Sequence, residues 1–284
     1  EIVADSSGCY SVQVKEPTSG CTVEAKMQVK ICGERDPNAN IQKYVDAWYF
    51  GTGAGVLFNG SPDNPKDTTG GLVVPQGVAK MTDATNSLIF YTDGQKIFDR
   101  NNHPIYAVGD TTKQLNGDLT NTQGVTVIPK TSCKGCQAEY YVFTLSKNLK
   151  GENLLYYSIV DMKLNKGKGG ISVLNQLVSP VPATSRLLAS EGGQGFYWLV
   201  VQDINSSNTR TYKISNLGIS APQNSQGGTQ MTSTTGNGAT TKVSAGGTKM
   251  AVAVPGPPPA DRYPPPPPPA TAPAAPEAPE PAPT

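Results

Sequence analysis

The segment GVAKMTDATNSLIFYTDGQKIFDR, residues 77–100, decides the fold class of this chain. It holds three short runs rich in β-forming residues, at 78–82, 88–92 and 96–99. The dipeptide Asp93-Gly94 separates the last two runs and is typical of a tight hairpin whose central residues both have positive φ. No helical periodicity runs through the segment. It therefore predicts three antiparallel strands in succession.

The same order of strand, turn and apolar strand recurs along the chain. Small antiparallel sheets repeated at intervals of tens of residues are typical of a β-propeller, in which each blade packs its faces on its neighbours. We therefore predict an all-β fold, as a partial or complete β-propeller, with a sandwich of the same strands as the alternative. The recurring segments are 124–130, 139–145, 154–164, 186–190, 196–203, 209–214, 241–244 and 249–254.

The N-terminal part of the chain differs from the repeats. Residues 1–33 contain two alternating stretches on either side of a turn at 16–20, which predicts a hairpin with one apolar face. Residues 34–47 are polar and lack strong periodicity, which indicates a linker. An isolated two-stranded hairpin is marginal in water, so we expect this one to be the end of a larger module.

Residues 255–284 are rich in proline and hold fifteen of the 25 prolines of the chain. Proline fixes φ and lacks the N–H that a central strand needs, so this segment predicts a semi-rigid polyproline II spacer of about 3.1 Å per residue. The alternative is a ligand for an aromatic-lined groove. The candidate contact residues are the consecutive prolines Pro264, Pro265, Pro266, Pro267, Pro268 and Pro269.

Composition argues against two classes of partner. Charged residues are 16% of the chain and the formal net charge is +1, whereas nucleic-acid-binding proteins normally carry a strong basic excess. No apolar run is long enough to span a membrane as a helix. We therefore expect neither nucleic acid binding nor a transmembrane segment in this chain.

The sequence offers little for catalysis. Its single histidine, His103, lies in a turn-forming Asn-Asn-His-Pro sequence and reads as an exposed loop residue. One histidine argues against a Ser-His-Asp triad and against a multi-histidine metal site. The candidate carboxylates all lie beside turns, where aspartate is expected on structural grounds, and no spacing selects an acid/base pair. They are Asp83, Asp93, Asp99, Asp161 and Asp203.

Residues 51–55, Gly-Thr-Gly-Ala-Gly, superficially resemble a phosphate-binding loop. They lack the lysine and hydroxyl that follow in such a loop, and no helical pattern comes after them. We expect these glycines to permit close backbone approach instead, and we predict no nucleotide cofactor.

A family resemblance covers residues 48–254. WYFGTGAGVLFNGSP, GVAKMTDATNSLIFYTDGQKIFDRNNHPI, LNGDLTNTQGVTVIPK, YYVFTLS and LLYYSIVDMKLNKGKGGI occur in this order and resemble the β-propeller region of large Bacteroidota cell-surface proteins. Those proteins are associated with gliding motility and type IX secretion. GCYSVQVKEPTSGCTVEAKMQVKICG, near the N-terminus, resembles the closing hairpin of their Ig-like and PKD modules. The family has no established catalytic residues to carry over.

The resemblance implies a non-enzymatic module of an exported, extracellular surface protein, such as an adhesin or surface filament. The domain plan is then an Ig-like/PKD-type end at 1–33, a linker at 34–47, a propeller-like domain at 48–254 and a Pro-rich spacer at 255–284. The expected partners are other protein domains, copies of the same chain, and surface polysaccharide. A periplasmic scaffold of the secretion machinery and a propeller-type hydrolase or lyase are the alternatives. Too few blades are recognisable to close a ring, so we expect the chain not to close a propeller alone.

The five cysteines fall into two groups. Cys133 and Cys136 form a C-x-x-C between two predicted strands, for which a redox motif, half of a zinc site and a local disulfide compete. The disulfide is favoured for a secreted chain. Cys9, Cys21 and Cys32 belong to the N-terminal segment, and their pairing stays open because the total is odd.

A calcium site is the alternative to the prediction of no cofactor. Asp63, Asn64 and Asp67 cluster in Ser-Pro-Asp-Asn-Pro-Lys-Asp and offer the oxygen ligands that calcium prefers. Their spacing is not that of an EF-hand loop, and such clusters commonly form plain turns.

Overall fold

The chain separates into a unit of residues 1–254 and a unit of residues 255–284. A computed structural model describes only residues of the first unit. They are 8–15, 22–29, 45–59, 65–83, 87–130, 138–192, 196–232, 240–243 and 250–253. These residues are almost all in strands, turns and loops, which confirms the all-β class. In this part of the chain no helix is long and apolar enough to cross a membrane.

The secondary-structure elements follow one another with short connections. In chain order they are β1 (Gly8–Lys15), β2 (Thr22–Val29), β3 (Val45–Phe50), β4 (Thr52–Asn59), β5 (Lys66–Val73), β6 (Ala79–Thr82), β7 (Leu88–Thr92), β8 (Ile97–Asp99), β9 (Val125–Pro129), β10 (Glu139–Lys147), β11 (Asn153–Asp161), α1 (Leu164–Gly167), β12 (Gly170–Glu191), β13 (Tyr197–Asp203), β14 (Ser206–Ser215), β15 (Gly218–Ile219), β16 (Gln223–Met231), β17 (Thr240–Val243) and β18 (Met250–Ala253).

The strands within the described ranges form antiparallel sheets, in which strands pair with their neighbours in sequence except that β16 pairs with β14. The sheets are β1-β2, β3-β4-β5, β6-β7-β8, β17-β18 and an eight-stranded sheet that runs from β9 to β16. The β1-β2 pairing places Tyr10 opposite Met27 and Val12 opposite Ala25, so the predicted hairpin is confirmed. Its place in a larger Ig-like or PKD module stays a prediction.

Strand β12 divides the large sheet into two groups of strands. It is 22 residues long, and it pairs with β11 up to Ala183 and with β13 from Ala183 onward. Pro180 and Pro182 lie just before this change of partner, where the missing N–H groups of proline interrupt a regular ladder. The first group is β9, β10, β11 and the start of β12. The second group is the end of β12 with β13, β14, β15 and β16.

Neighbouring residues of the central strands belong to different hydrophobic cores. Phe90 lies in a core with Tyr140 and Val142, whereas the adjacent Tyr91 lies in a core with Leu72. Tyr141, one residue after Tyr140, belongs to a third core. Side chains alternate across a strand, so these sheets are packed by neighbours on both faces. The strands from β3 to β14 therefore form sheets that stack face to face in chain order.

The first two stacked sheets meet through aromatic rings. Tyr49 of β3 and Tyr91 of β7 stack with ring centroids 4.0 Å apart and an interplanar angle of 9°. Glycines create the space for this contact, because a Cβ built on Gly70 would lie 2.6 Å from the Tyr49 ring. A Cβ on Gly55 would lie 2.9 Å from the Trp48 carbonyl oxygen, which confirms the expected close backbone approach.

The prediction for the Asp93-Gly94 turn is wrong in its geometry. Gly94 has φ of 91°, but Asp93 is not among the residues with positive φ. Thr92 pairs with Ile97, so four residues connect β7 and β8 rather than two. The Asp93 carboxylate accepts the N–H groups of Gln95 and Lys96 at 2.7 and 2.6 Å, and this side-chain bonding stabilises the longer turn.

Two further features differ from the sequence prediction. Strand β3 begins at Val45, inside the range that we predicted as linker. Strands β5 and β16 were not predicted, because their sequences, KDTTGGLV and QNSQGGTQM, are poor in β-forming residues. The described residues show stacked sheets and no closed ring.

Candidate functional site

Most of the residues predicted to bind calcium, to form a disulfide or to contact a partner lie outside the described part of the chain. The exception is Asp67, which is exposed on β5 and pairs with Val56 of β4. The calcium, disulfide and proline-contact hypotheses therefore stay predictions. The residues outside the description are Asp63, Asn64, Cys133, Cys136, Pro264, Pro265, Pro266, Pro267, Pro268 and Pro269.

Four of the five candidate carboxylates accept hydrogen bonds from backbone N–H groups of their own turns. Such bonds are the ordinary structural role of aspartate in a turn, where they compete with any role as acid or base. The bonds are Asp83 with Ser87 at 2.9 Å, Asp93 with Gln95 and Lys96, Asp99 with Asn101 and His103 at 2.8 Å each, and Asp161 with Lys163 at 2.9 Å.

His103 is an exposed turn residue, as the sequence predicts. Its side chain is 71% exposed, and its Nδ1 lies 3.4 Å from Oδ2 of Asp99. Within the described ranges, no three His, Cys, Asp or Glu residues come together in a way that could hold a metal ion. The pair is therefore a contact within one turn, between an exposed imidazole and a largely buried carboxylate.

The fifth carboxylate, Asp203, belongs to a buried ion pair. It contacts the Nε of Arg210, which is 3% exposed, and it accepts a hydrogen bond from Asn208. Arg210 also donates to the Val181 carbonyl at 3.0 Å and to the Ser179 hydroxyl. Ser179 and Val181 lie where β12 changes partners. The ion pair therefore binds the two strand groups together, and it was missed because only the fold brings its members near.

Gln123, just before β9, joins three segments that are distant in sequence. Its backbone pairs with β12, since its N–H donates to the Ser185 carbonyl at 3.2 Å and its carbonyl accepts the Leu187 N–H at 2.7 Å. Its side-chain amide accepts the N–H of Thr241 on β17 at 2.8 Å and faces the Thr241 carbonyl at 3.5 Å. The Gln123 side chain thus makes the hydrogen bonds to β17 that the backbone of a neighbouring strand would otherwise make.

The surroundings of Gln123 are polar but tightly packed. Arg186 is 2% exposed and donates to the Gln202 amide oxygen at 3.0 Å, and burial lowers the pKa of its guanidinium. The adjacent cavity, which Arg186, Gln202 and Thr241 help to line, has a volume of about 10 Å³. That is room for about one water molecule, so the site holds strands together and is too small for a substrate.

A larger cavity opens beside β8 and the loop that follows it. Its volume is about 250 Å³. Lysine, glutamine, tyrosine and buried isoleucine side chains line it, so both charged and apolar contacts are available to a ligand. The lining residues are Gln95, Lys96, Ile97, Phe98, Pro104, Ile105, Tyr106, Lys113, Gln114 and Ile171.

The outer face of the β3-β4-β5 sheet exposes large apolar side chains. Trp48, Phe50 and Val73 are 56%, 50% and 64% exposed. On the opposite face Ala47 and Leu72 are 1% and 2% exposed, so the two faces of the sheet differ strongly in burial. Large apolar side chains exposed on one face of a sheet are candidates for an interaction surface.

We compared the chain with protein families, curated proteins and solved structures. The chain matched no family model, no curated protein and no solved structure.

Proposed function

We propose that the chain is a non-enzymatic structural and binding module of an exported cell-surface protein, built as a propeller-like stack of sheets. Its outer apolar face, formed by Trp48, Phe50 and Val73, takes the same face of a second copy of the chain. The exposure of these three side chains is the observation that carries the proposal.

The stacking of the sheets supports the propeller-like arrangement. Tyr140 and Tyr141 are adjacent in β10, yet they belong to different cores, so that sheet packs against neighbours on both faces. This packing is how blades are arranged in a propeller. Gln123 supports it further, because it brings the beginnings of β9 and β17 to the later part of β12.

We infer that the partner is a second copy of the chain from the residues that form the outer apolar face. Trp48 stands opposite Val56, and Phe50 stands opposite Ala54, which gives a surface of alternating large and small apolar groups. Such a surface can interdigitate with itself about a two-fold axis, as isologous interfaces do. Aromatic residues are also enriched at the buried centres of interfaces. A second copy therefore buries apolar area that the single chain leaves in water.

A non-enzymatic role is supported by the bonding of the candidate carboxylates. Glycosidases, for example, need two carboxyl groups placed on either side of the scissile bond. Asp93 and Asp99 instead bind N–H groups of their own turns, and Asp203 pairs with buried Arg210. These carboxylates are thus accounted for by structural bonds.

The test is self-association of the full chain by sedimentation velocity over a range of concentrations. We expect a concentration-dependent dimer, which the double variant Trp48→Ser/Phe50→Ser shifts to monomer. Leu217→Ser is the matched control, because Leu217 is 93% exposed in a turn away from this face. A wild-type chain that stays monomeric, or a double variant that associates like the wild type, would contradict the proposed interface.

A further inference from the structure

The cavity beside β8 is built on a hydrogen-bonded frame. The Ile105 N–H donates to the Ile97 carbonyl at 2.9 Å, and the Ile171 N–H donates to the Tyr106 carbonyl at 2.9 Å. The Leu115 N–H donates to the Gln95 carbonyl at 3.0 Å and holds the loop that carries the lining residues Lys113 and Gln114. The cavity is therefore preformed by bonded backbone, as ligand sites usually are.

Three buried isoleucines, which we call the isoleucine floor, and one tyrosine ring belong to the lining of the cavity. Ile97, Ile105 and Ile171 are 2%, 5% and 4% exposed, so they belong to the core and offer only a surface to the cavity. Tyr106 is 38% exposed. A ligand with one flat C–H face can pack against this combination of isoleucine floor and aromatic ring.

The residues that line the cavity include two lysines, Lys96 and Lys113, and no carboxylate. Lys113 lies 3.4 Å from Asp110, whose carboxylate also accepts two hydrogen bonds from Thr112. Lys96 has no ion pair among the described residues. The residues that line the cavity therefore carry more positive than negative charge, which favours an anionic ligand.

We propose that this cavity binds a single-ring acidic sugar of the hexuronic acid class. The sugar carboxylate faces Lys96 and Lys113, its C–H face lies on the isoleucine floor beside Tyr106, and its hydroxyl groups face the Gln114 side chain. The volume of about 250 Å³ lies just below the range of about 300–1,000 Å³ typical of drug-sized ligands, which suits one ring.

The residues that line the cavity match an acidic sugar better than they match simpler ligands. An inorganic anion would leave the isoleucine floor facing water, and a neutral sugar would leave the lysine pair without an anion. Binding is expected to be weak and to weaken with salt, because exposed charges are screened. This site does not depend on the self-association proposed above, and the two tests fail independently.

The test is a titration of the full chain with methyl glucuronide, followed by NMR chemical shifts, beside methyl glucoside and acetate as separate probes. We expect the glucuronide to bind roughly tenfold more tightly than either probe, a difference of about 1.4 kcal/mol. Lys96→Ala/Lys113→Ala should abolish that preference. Lys150→Ala is the matched control, because this lysine is exposed in the β10–β11 turn.

Each result of the titration decides the proposal. Preferential binding of the glucuronide that is lost in the lysine double variant, but kept in the control, supports it. Equal binding of glucuronide and glucoside, or of glucuronide and acetate, overturns it. Absence of any shift, or glucuronide binding unchanged in the double variant, overturns it as well. Thermal unfolding of each variant establishes that the compared proteins are folded.

Discussion

The β3-β4-β5 sheet and the sheet around β10 and β11 are built from similar strands but are buried differently. Tyr140 and Tyr141, adjacent in β10, are 3% and 5% exposed, so both faces of that sheet are covered. Trp48 is 56% exposed while its neighbour Ala47 is 1% exposed. Apolar alternation alone therefore does not say whether a face is a core or a surface. What packs against the face decides it, and the fold determines that.

We expect the largest effect on stability from breaking the buried ion pair between Asp203 and Arg210, which lies in the region where sheets are covered on both faces. Arg210→Met removes the partner of the buried Asp203 carboxylate and should cost about 3–5 kcal/mol of unfolding free energy. Urea unfolding followed by circular dichroism measures this loss. Arg100→Met, at an exposed arginine, should change stability little. Equal effects of the two variants would show that the pair does not stabilise the fold.

Truncation of matched apolar residues tests the difference in burial directly. Leu199→Ala removes a side chain that is 0% exposed and should cost about 2–5 kcal/mol, because it leaves a cavity. Val73→Ala, at a side chain that is 64% exposed, should change stability by less than about 0.5 kcal/mol. Urea unfolding at low protein concentration measures both. A costly Val73→Ala would mean that the outer face is covered within the single chain.

The contact between the first two stacked sheets is sensitive to added volume. Gly70→Ala places a Cβ 2.6 Å from the Tyr49 ring and should cost about 1–3 kcal/mol through overpacking. Gly227→Ala is the control, because nothing lies within 4 Å of a Cβ built there. Thermal unfolding compares the two. No difference would mean that Tyr49 can move aside without loss of packing.

The smallest expected effect is a loss of stability at alkaline pH. Burial raises the pKa of the Tyr91 phenol above its usual value of about 10. The unfolded chain then releases its proton first as pH rises, so the unfolding free energy falls above about pH 10. Urea unfolding at about pH 8 and about pH 11 should show the fall, and Tyr91→Phe should reduce it. Tyr106→Phe is the exposed control, and the same pH profile in both variants would contradict the prediction.

Sequence reasoning located the strands that carry their own pattern. The segment 88–92 was predicted with the bounds of β7, because its residues are strong β-formers between turns. The sequence does not predict strand β16, because its residues have little preference for strands and its hydrogen bonds to β14 hold it extended. Arg210 and Gln123 were missed for a related reason: their partners lie far along the chain or on another strand, and a single sequence does not show such contacts.

The Gln123 contact has a consequence for the order of folding. Gln123 and Thr241 are separated by 118 residues, whereas the pairings from β9 to β14 join neighbouring strands. Loop-closure entropy grows with the length of the closed segment, so contacts between distant residues form after local ones. We expect the local hairpins to form first and the β17-β18 hairpin to dock last, when the Gln123 amide has been fixed in place. The same hairpin should be the first to open, with amide hydrogens that exchange sooner than those of β10.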